Sequence, residues 1–479
     1  MKTKGIKEVL AEVFKLASFR GDQEAIILRT LKGQNSLIIM PTGMGKSLCY
    51  QLPSRLLSGL TLVVSPLIAL MKDQVDQAQK LGLRATFINS SLDRSEREKR
   101  YKKLDGGEYE LLYVTPERFR KTEFCQALKK NKVRLLAVDE AHCISEWGHD
   151  FRPDYTKLKE IRNFLGSPPT QALTATATAE VQVDIVKQLG LGEEDIKVFA
   201  AGIERPNLYL EMDDLYGWDQ KLKVFLEWSG RIAGPKIAYF SLVSSVEKFA
   251  QELSKKKINF CIYHGQMSPK DRKRQQEEFL QSKDALILAT PAFGLGINKP
   301  DIRGVAHLEL PGSIESYYQE IGRAGRDGSP ANTIMLYDEE DISIQMDFIK
   351  WTNPEPNFLW RCYRLIEKNP DKVKSGGLDY LREQLNFYNK RDFRVETAVN
   401  LLEHWGFIAR EDRGKGISVL EEPNGEMLDE KLAQARFKGQ NMKLLEVVNL
   451  VKSEECRKKI IYKYFGVAAG DCGNCDNCL

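Results

Sequence analysis

Short apolar runs recurring in two series restrict what this chain can fold into more than any other feature. Between residues 33 and 195 they read SLIIM, TLVVS, ATFI, ELLYV, RLLAV and TQALTAT. From Lys236 onward they read KIAYFS, FCIYH, ALILAT, GVAHLEL and NTIMLY. Each run is strand-like, and each is followed by a polar or amphipathic stretch. That rhythm predicts parallel sheets covered by helices, so the expected fold class is α/β with two tandem parallel-sheet lobes. The stretch from Gly202 to Gly234 connects the two series, and the proline in GIERPNL marks a candidate hinge.

A chain of 479 residues exceeds one ordinary core, which leaves room for a smaller appendage. After Tyr337 the strand rhythm stops and NFLWRCYRLIEK and GLDYLREQL read as helices. VETAVNLLEHWGFIAREDRGKGISVLEE then supplies a helix with apolar Ala398, Leu401, Leu402 and Trp405. Beyond it come a glycine turn and two short strands joined by Arg413-Gly414-Lys415-Gly416. This is either a winged-helix unit or a helical spacer ending in a hairpin. The expected division is a first lobe over 1–205, a second over 206–345, a helical or winged-helix-like region over 346–435 and a zinc-binding module over 436–479.

No apolar run approaches the ~20 residues of a membrane span, and the amino terminus lacks the apolar stretch of a secretory signal. The expectation is a cytoplasmic, nucleoid-associated protein with no membrane partner. The balance of 71 basic against 67 acidic residues is too even to mark a nucleic-acid partner by bulk charge. Any such case has to come from local sites.

One local site follows the first strand. SLIIM runs into Pro41-Thr42-Gly43-Met44-Gly45-Lys46-Ser47 and then into a helix beginning at Leu48. Gly43 and Gly45 allow backbone amides to turn inward on phosphate oxygens. Lys46 can reach the β and γ phosphates, and the Ser47 hydroxyl can ligate Mg²⁺. Met40 stands where the bare pattern has its leading glycine, but the strand, loop and helix context supports an ATP-binding phosphate loop. Downstream, RLLAV delivers Asp139-Glu140-Ala141-His142 at its carboxyl end, where ligands bind in open α/β sheets. Asp139 suits Mg²⁺ coordination, and Glu140 suits orienting and deprotonating a water.

A second site closes the chain. Cys456, Cys472, Cys475 and Cys478 are four of nine cysteines, and the last three form two CxxC spacings. In a cytosolic chain this clustering points to metal rather than disulfides, with a closed four-thiolate Zn²⁺ site favoured over redox or iron–sulfur alternatives.

Taken together, these residues resemble a superfamily-2 helicase, and more closely the RecQ family of DNA helicases. The acidic string continues as Cys143-Ile-Ser-Glu-Trp147-Gly-His149-Asp-Phe151-Arg152-Pro153, which is similar to the family's aromatic-rich loop. Further similar stretches are Ser65 to Gln74, Val114 to Arg118, Leu173 to Thr176, Ala292 to Asp301 and Tyr318 to Gly328. The match spans roughly residues 14 to 337. It implies RecA-like lobes, with Arg323 and Arg326 facing the γ-phosphate, Arg326 as the arginine finger, and Gln319 touching His142 across the cleft. It also implies adenine recognition by Gln23 with Arg20 beside it. Leu16 stands where the family often has a stacking tyrosine, and Gly21-Asp22 replaces its proline-glycine.

For nucleic acid, the resemblance implies that Trp147, His149, Phe151 and Arg152 grip single-stranded DNA by stacking and charge. Backbone contacts are expected from Ser65, Lys72, Thr115, Arg118 and the Thr290 to Lys299 turn. Glu146 replaces a glutamine common in the family. The activity implied is a DEAH-box helicase that moves 3′ to 5′ on single-stranded DNA and unwinds duplex DNA in recombination and repair. Its partners would include single-strand-binding or recombination and repair proteins. An RNA helicase or duplex translocase, and a binding scaffold with an inactive ATP site, are the competing classes. Family members order the zinc module before the winged helix, whereas here about 110 residues separate the second lobe from the cysteines.

Overall fold

The computed structural model describes all residues except 1–2, 42, 146–154, 156, 201–202, 295–296, 298, 387–391, 411–415 and 424–428. The chain forms two compact units, one of residues 1–310, 314–337 and 450–479, the other of residues 311–313 and 338–449. No helix among the described residues is long and apolar enough to cross a membrane.

The first unit contains two sheets, both entirely parallel. In the amino-terminal one, β1 (Asn35–Ile39), β2 (Leu60–Val64), β3 (Ala85–Ile88), β4 (Leu111–Val114), β5 (Val133–Val138), β6 (Thr170–Thr174) and β7 (Ile196–Ala200) lie in the order β3-β4-β2-β5-β6-β1-β7. Successive side chains of a strand point to opposite faces, and the core divides accordingly. Leu37, Leu62, Leu136 and Val138 pack with Phe124, Leu158 and Ile185 on one side. Ile38, Val63, Leu135 and Leu173 pack with Ile26, Cys49, Leu52 and Met71 on the other. Helices on both faces explain why these strands read as continuous apolar runs.

The second sheet holds β8 (Leu208–Asp214), β9 (Lys236–Tyr239), β10 (Cys261–Tyr263), β11 (Leu286–Ala289), β12 (Gly304–His307) and β13 (Ala331–Tyr337) in the order β10-β11-β9-β12-β13-β8. Two strands were absent from the sequence reading, and both lie at sheet edges. β7 leaves Lys197, Val198 and Ala200 exposed, and β8 carries Glu211, Asp213 and Asp214. The stretch expected to be a connector therefore supplies β8 and the helix Gly217–Gly230, which buries Phe225 and Trp228 in the second core.

In the second unit, the helices Pro356–Lys368, Pro370–Leu385 and Arg394–His404 are followed by an antiparallel pair, β14 (Ile408–Arg410) and β15 (Ile417–Val419). Phe358, Tyr363, Leu381, Val399, Leu402, Phe407 and Ile417 form one core joining helices and hairpin. Helices closed by a two-stranded hairpin are the elements that both readings of this stretch expect. The loop residues Arg413 to Lys415 lie outside the described residues. The units part at 337/338 and 449/450, where the sequence reading set divisions at 345 and 435. The helix Glu430–Lys452 runs unbroken through the latter position.

Candidate active site

β1 and β5 flank β6, so the loops leaving these three strands converge at one end of the first sheet. After β1 the chain turns through Gly43 (φ +89°) and Gly45 (φ +81°) into the helix Leu48–Leu56. Both glycines are required twice over. Their φ values are unfavourable for side chains, and a Cβ on Gly43 would lie 3.2 Å from Arg326 Cγ, one on Gly45 2.8 Å from Gln23 Nε2. Thr42 lies outside the described residues. Lys46 Nζ is buried and finds no hydrogen-bond partner among the described residues. A buried ammonium without an acceptor is costly, so this atom fits an anionic ligand.

Gln23 holds the loop in shape. Its Nε2 donates to the carbonyls of Met44 (2.9 Å) and Gly45 (3.2 Å), while its Oε1 accepts from the Arg20 N–H (2.9 Å). The amide expected to read adenine is thus engaged with the phosphate loop, and exposed Arg20 contributes its backbone.

At the end of β5, the Ser65 hydroxyl donates to Asp139 Oδ2 (3.4 Å) and the Tyr155 hydroxyl to the Asp139 carbonyl (3.1 Å). Burial, and then the neighbouring Glu140, push the Asp139 carboxyl up to about 6, with Lys46 opposing. A bound cation would reverse that penalty. Glu140 adopts a left-handed backbone (φ 49°, ψ 49°), an uncommon conformation for a non-glycine residue. Its Oε2 is buried with no hydrogen-bond partner among the described residues.

His142 connects this corner to β6. The Thr174 hydroxyl donates to the Thr176 carbonyl (2.9 Å), so it accepts from His142 Nδ1 (2.9 Å), which assigns the ring proton to Nδ1. Glu140 Oε2 lies 3.4 Å from the same nitrogen. The expected partner of His142, Gln319, is found on the cavity wall.

A cavity of about 450 Å³ joins the two lobes. The first contributes Gly43, Gly45, Lys46, Ser47, Asp139 and Glu140, and the second contributes Gly294, Ile297, Gln319, Arg323 and Arg326. Phe14 and Leu16 close one side. Both arginines follow the helix Ile314–Ile321. Arg326 Nη1 donates to the Ile297 carbonyl (2.6 Å) and Nε to that of Gly322 (3.4 Å). Burial, and then adjacent Arg323, lower its guanidinium to about 10. Arg323 donates to the Gly294 carbonyl. Two crowded, desolvated cations opposite Lys46 make this cavity strongly attractive to phosphate.

The proposed DNA-gripping residues Trp147, His149, Phe151 and Arg152 lie outside the described residues. Of the expected backbone contacts, Ser65 is bonded to Asp139, Thr115 and Thr290 are buried, and Lys72 is exposed. Lys299 is buried, with its ammonium donating to the carbonyls of Leu280 (3.1 Å) and Ser282 (2.9 Å). That leaves it poorly placed for a phosphate.

The four cysteines come together as spaced. Their sulfurs all lie within 4.8 Å of one another, with Cys472 and Cys478 3.9 Å apart and Cys475 and Cys456 4.0 Å apart. A tetrahedral zinc with bonds of about 2.3 Å has sulfur–sulfur edges of about 3.8 Å, so the set fits that ion. Cys456 stands at the amino-terminal cap of the helix Arg457–Tyr464. The turn adds to the edge of the second sheet, where Cys475 bridges Leu210 and Asp476 accepts from the Met212 N–H (3.0 Å).

Two parallel α/β lobes sharing a cavity, with a phosphate loop from one and paired arginines from the other, define the class of two-lobed RecA-like proteins. Family profiles agree: "DEAD/DEAH box helicase" matches residues 20–185, "Helicase conserved C-terminal domain" 220–328 and "RecQ zinc-binding" 423–479. "Probable ATP-dependent DNA helicase RecS" of Bacillus subtilis is 38% identical over 398 residues, covering 83% of this chain and 79% of that protein. "ATP-dependent DNA helicase RecQ" of Haemophilus influenzae is 44% identical over 335 residues, covering 70% of this chain. Only 54% of the Haemophilus protein is matched, so the chain spans about half the length of that relative. Among solved structures, Mycobacterium smegmatis helicase Lhr bound to ssDNA and AMP-PNP superposes with a TM-score of 0.57 at 16% identity, over 91% of this chain and 61% of that one, which speaks for the fold. The chain belongs to the RecQ family of superfamily-2 helicases.

Proposed function

We propose that this protein is an ATP-dependent DNA helicase of RecQ type, which moves 3′ to 5′ on single-stranded DNA and unwinds duplexes in recombination and repair. The observation that carries the reading is the buried ammonium of Lys46, without a hydrogen-bond partner among the described residues, at a cavity that Arg326 enters from the second lobe. Lys46 and the loop amides hold the substrate phosphates, and Gln23, itself held by the Arg20 N–H, braces the phosphate loop. Mg²⁺ on Ser47 and Asp139 would neutralise phosphate charge. Glu140 accepts the proton of the attacking water, with His142 and Thr174 fixing its backbone turn. Arg323 and Arg326 answer the charge that develops as the terminal phosphoryl leaves, with Gln319 beside them, so hydrolysis requires both lobes.

Trp147, His149, Phe151 and Arg152 directly follow the acidic string and are assigned the grip on single-stranded DNA. Zn²⁺ on Cys456, Cys472, Cys475 and Cys478 would organise the carboxyl-terminal turn, where the local core is small. Single-strand-binding and repair proteins are the proposed partners, and the cytoplasm or nucleoid the proposed location.

The test is an unwinding assay on duplexes with 3′ or 5′ overhangs, with and without ATP and Mg²⁺, alongside ATPase stimulation by single-stranded DNA, duplex and RNA. Unwinding from 3′ overhangs and preferential stimulation by single-stranded DNA are expected. Stimulation by RNA alone, or hydrolysis without strand separation, refutes the reading.

A further inference from the structure

The helix Ile314–Ile321 ends just before the turn that carries Arg323 and Arg326. Its last turn is closed by backbone bonds, with the carbonyls of Tyr318, Glu320 and Ile321 accepting from the N–H groups of Gly322, Arg323 and Ala324. The carbonyls of the turn itself are met by a cation from elsewhere in the chain. Arg205 donates from Nη1 to the Gly322 carbonyl (3.2 Å), and from Nη2 to those of Ala324 (2.6 Å) and Gly325 (3.1 Å). The Gly322 carbonyl also accepts from Arg326 Nε, so one oxygen links Arg205 to a cavity arginine. Asn207 Nδ2 adds bonds to the carbonyls of Gly325 (2.9 Å) and Ser329 (2.8 Å).

The other side of the same segment is held by the cysteine module. The Arg205 N–H donates to the Tyr462 hydroxyl (3.0 Å), and its carbonyl accepts from Lys458 Nζ (3.1 Å). Both partners lie on the helix that Cys456 caps. Asn474, between two of the cysteines, donates to the carbonyls of Pro206 (2.8 Å) and Leu208 (3.0 Å). Pro206 further restricts the Arg205 backbone. Little slack remains, since a Cβ on Gly325 would approach Asn207 Nδ2 to 2.4 Å.

We propose that Arg205 is a positioning residue: anchored by the four-cysteine module, it fixes the carbonyls of the 322–325 turn and thereby the aim of Arg326 into the cavity. This rests on reading the cavity as the site of ATP hydrolysis. Arg205 does not line the cavity, so its influence on the reaction has to pass through the turn. The module is thereby coupled to chemistry at the nucleotide, in addition to any contact it makes with DNA.

The test compares Arg205→Ala, Arg205→Lys and Tyr462→Phe with the parent chain. Misplacing a catalytic group by about 1 Å costs on the order of 10²-fold in rate, and Arg205→Ala should lower the DNA-stimulated kcat by about that factor. Binding of a fluorescent non-hydrolysable ATP analogue and zinc content should be unchanged. Arg205→Lys should recover part of the rate, because the shorter, compact ammonium keeps the charge but not the planar fork of the guanidinium, and Tyr462→Phe should lower kcat modestly. If Arg205→Ala fails to fold, the other two variants carry the comparison. Unaltered kcat in the folded variants overturns the proposal, as does a parallel loss of nucleotide affinity and zinc. A parent chain with no ATPase under any condition refutes the hydrolytic site and this inference together. An active parent indifferent to Arg205 refutes the inference alone.

Discussion

Replacing Lys46 by alanine separates the demands of binding from those of folding. Among the described residues the buried Lys46 ammonium finds no hydrogen-bond acceptor, its nearby compensation being the attraction of Asp139. An unsatisfied buried polar group costs about 1–3 kcal/mol. Its removal also leaves Asp139 less compensated, but that carboxyl can take up a proton instead. Lys46→Ala should therefore unfold no more easily than the parent without nucleotide, and gain on the order of 1 kcal/mol. With Mg²⁺ and a non-hydrolysable ATP analogue at a hundred times its Kd, the parent should gain about 2.7 kcal/mol, and the variant should lose most of that gain. Urea titrations with and without the analogue read both effects as paired midpoints, which avoids assuming a single cooperative transition for a chain of two units. A variant markedly less stable than the parent in the absence of nucleotide would refute the claim that Lys46 is held for a ligand. So would a variant with an undiminished analogue-induced shift.

Asp139→Asn should show a pH-dependent gain in stability when metal is absent. The folded carboxyl holds its proton up to about 6, above the unfolded value of about 4, so the parent loses stability as pH rises through that window. The variant should be the more stable at pH 7.5 and no different near pH 4; an advantage that persists at pH 4 would contradict the burial argument. Cys475→Ser should reduce zinc from about one ion per chain to none and lower thermal stability, as metal analysis and melting curves would read; a folded, zinc-free parent would remove the metal assignment. Replacing Trp147 and Phe151 together by alanine should spare basal ATPase and abolish its stimulation by single-stranded DNA. With about 1–3 kcal/mol per stacked base, DNA affinity should fall at least thirtyfold or so in a fluorescence anisotropy titration, and retained stimulation would move the sensor elsewhere.

Much of the site was legible because its signals are local. The phosphate loop occupies seven consecutive residues, 41–47, and the acids follow a buried strand directly. The cysteine spacing alone brings its three carboxyl-terminal ligands into one turn. The engagement of Gln23 with the phosphate loop was not legible, because its acceptors lie 21 and 22 residues away on a different element. The bond from His142 to Thr174 joins two strand ends that only the sheet order makes adjacent.

What the sequence by itself determined was the repeating strand-and-helix rhythm, the placement of Lys46, Asp139 and Glu140 at strand ends, and the cysteine set, all encoded within short windows by periodicity and spacing. Only the tertiary structure decided that the amphipathic edges β7 and β8 complete the two sheets, and that the chain divides after Tyr337 and again before Leu450. It alone placed Arg205 between the cysteine module and the arginine turn, 117 to 120 residues from the carbonyls it meets. The exposed positions of β7 and the acidic residues of β8 break the continuous apolar signal that the other strands carry. Contacts between residues so far apart in the chain depend on how whole elements pack, which no local window records.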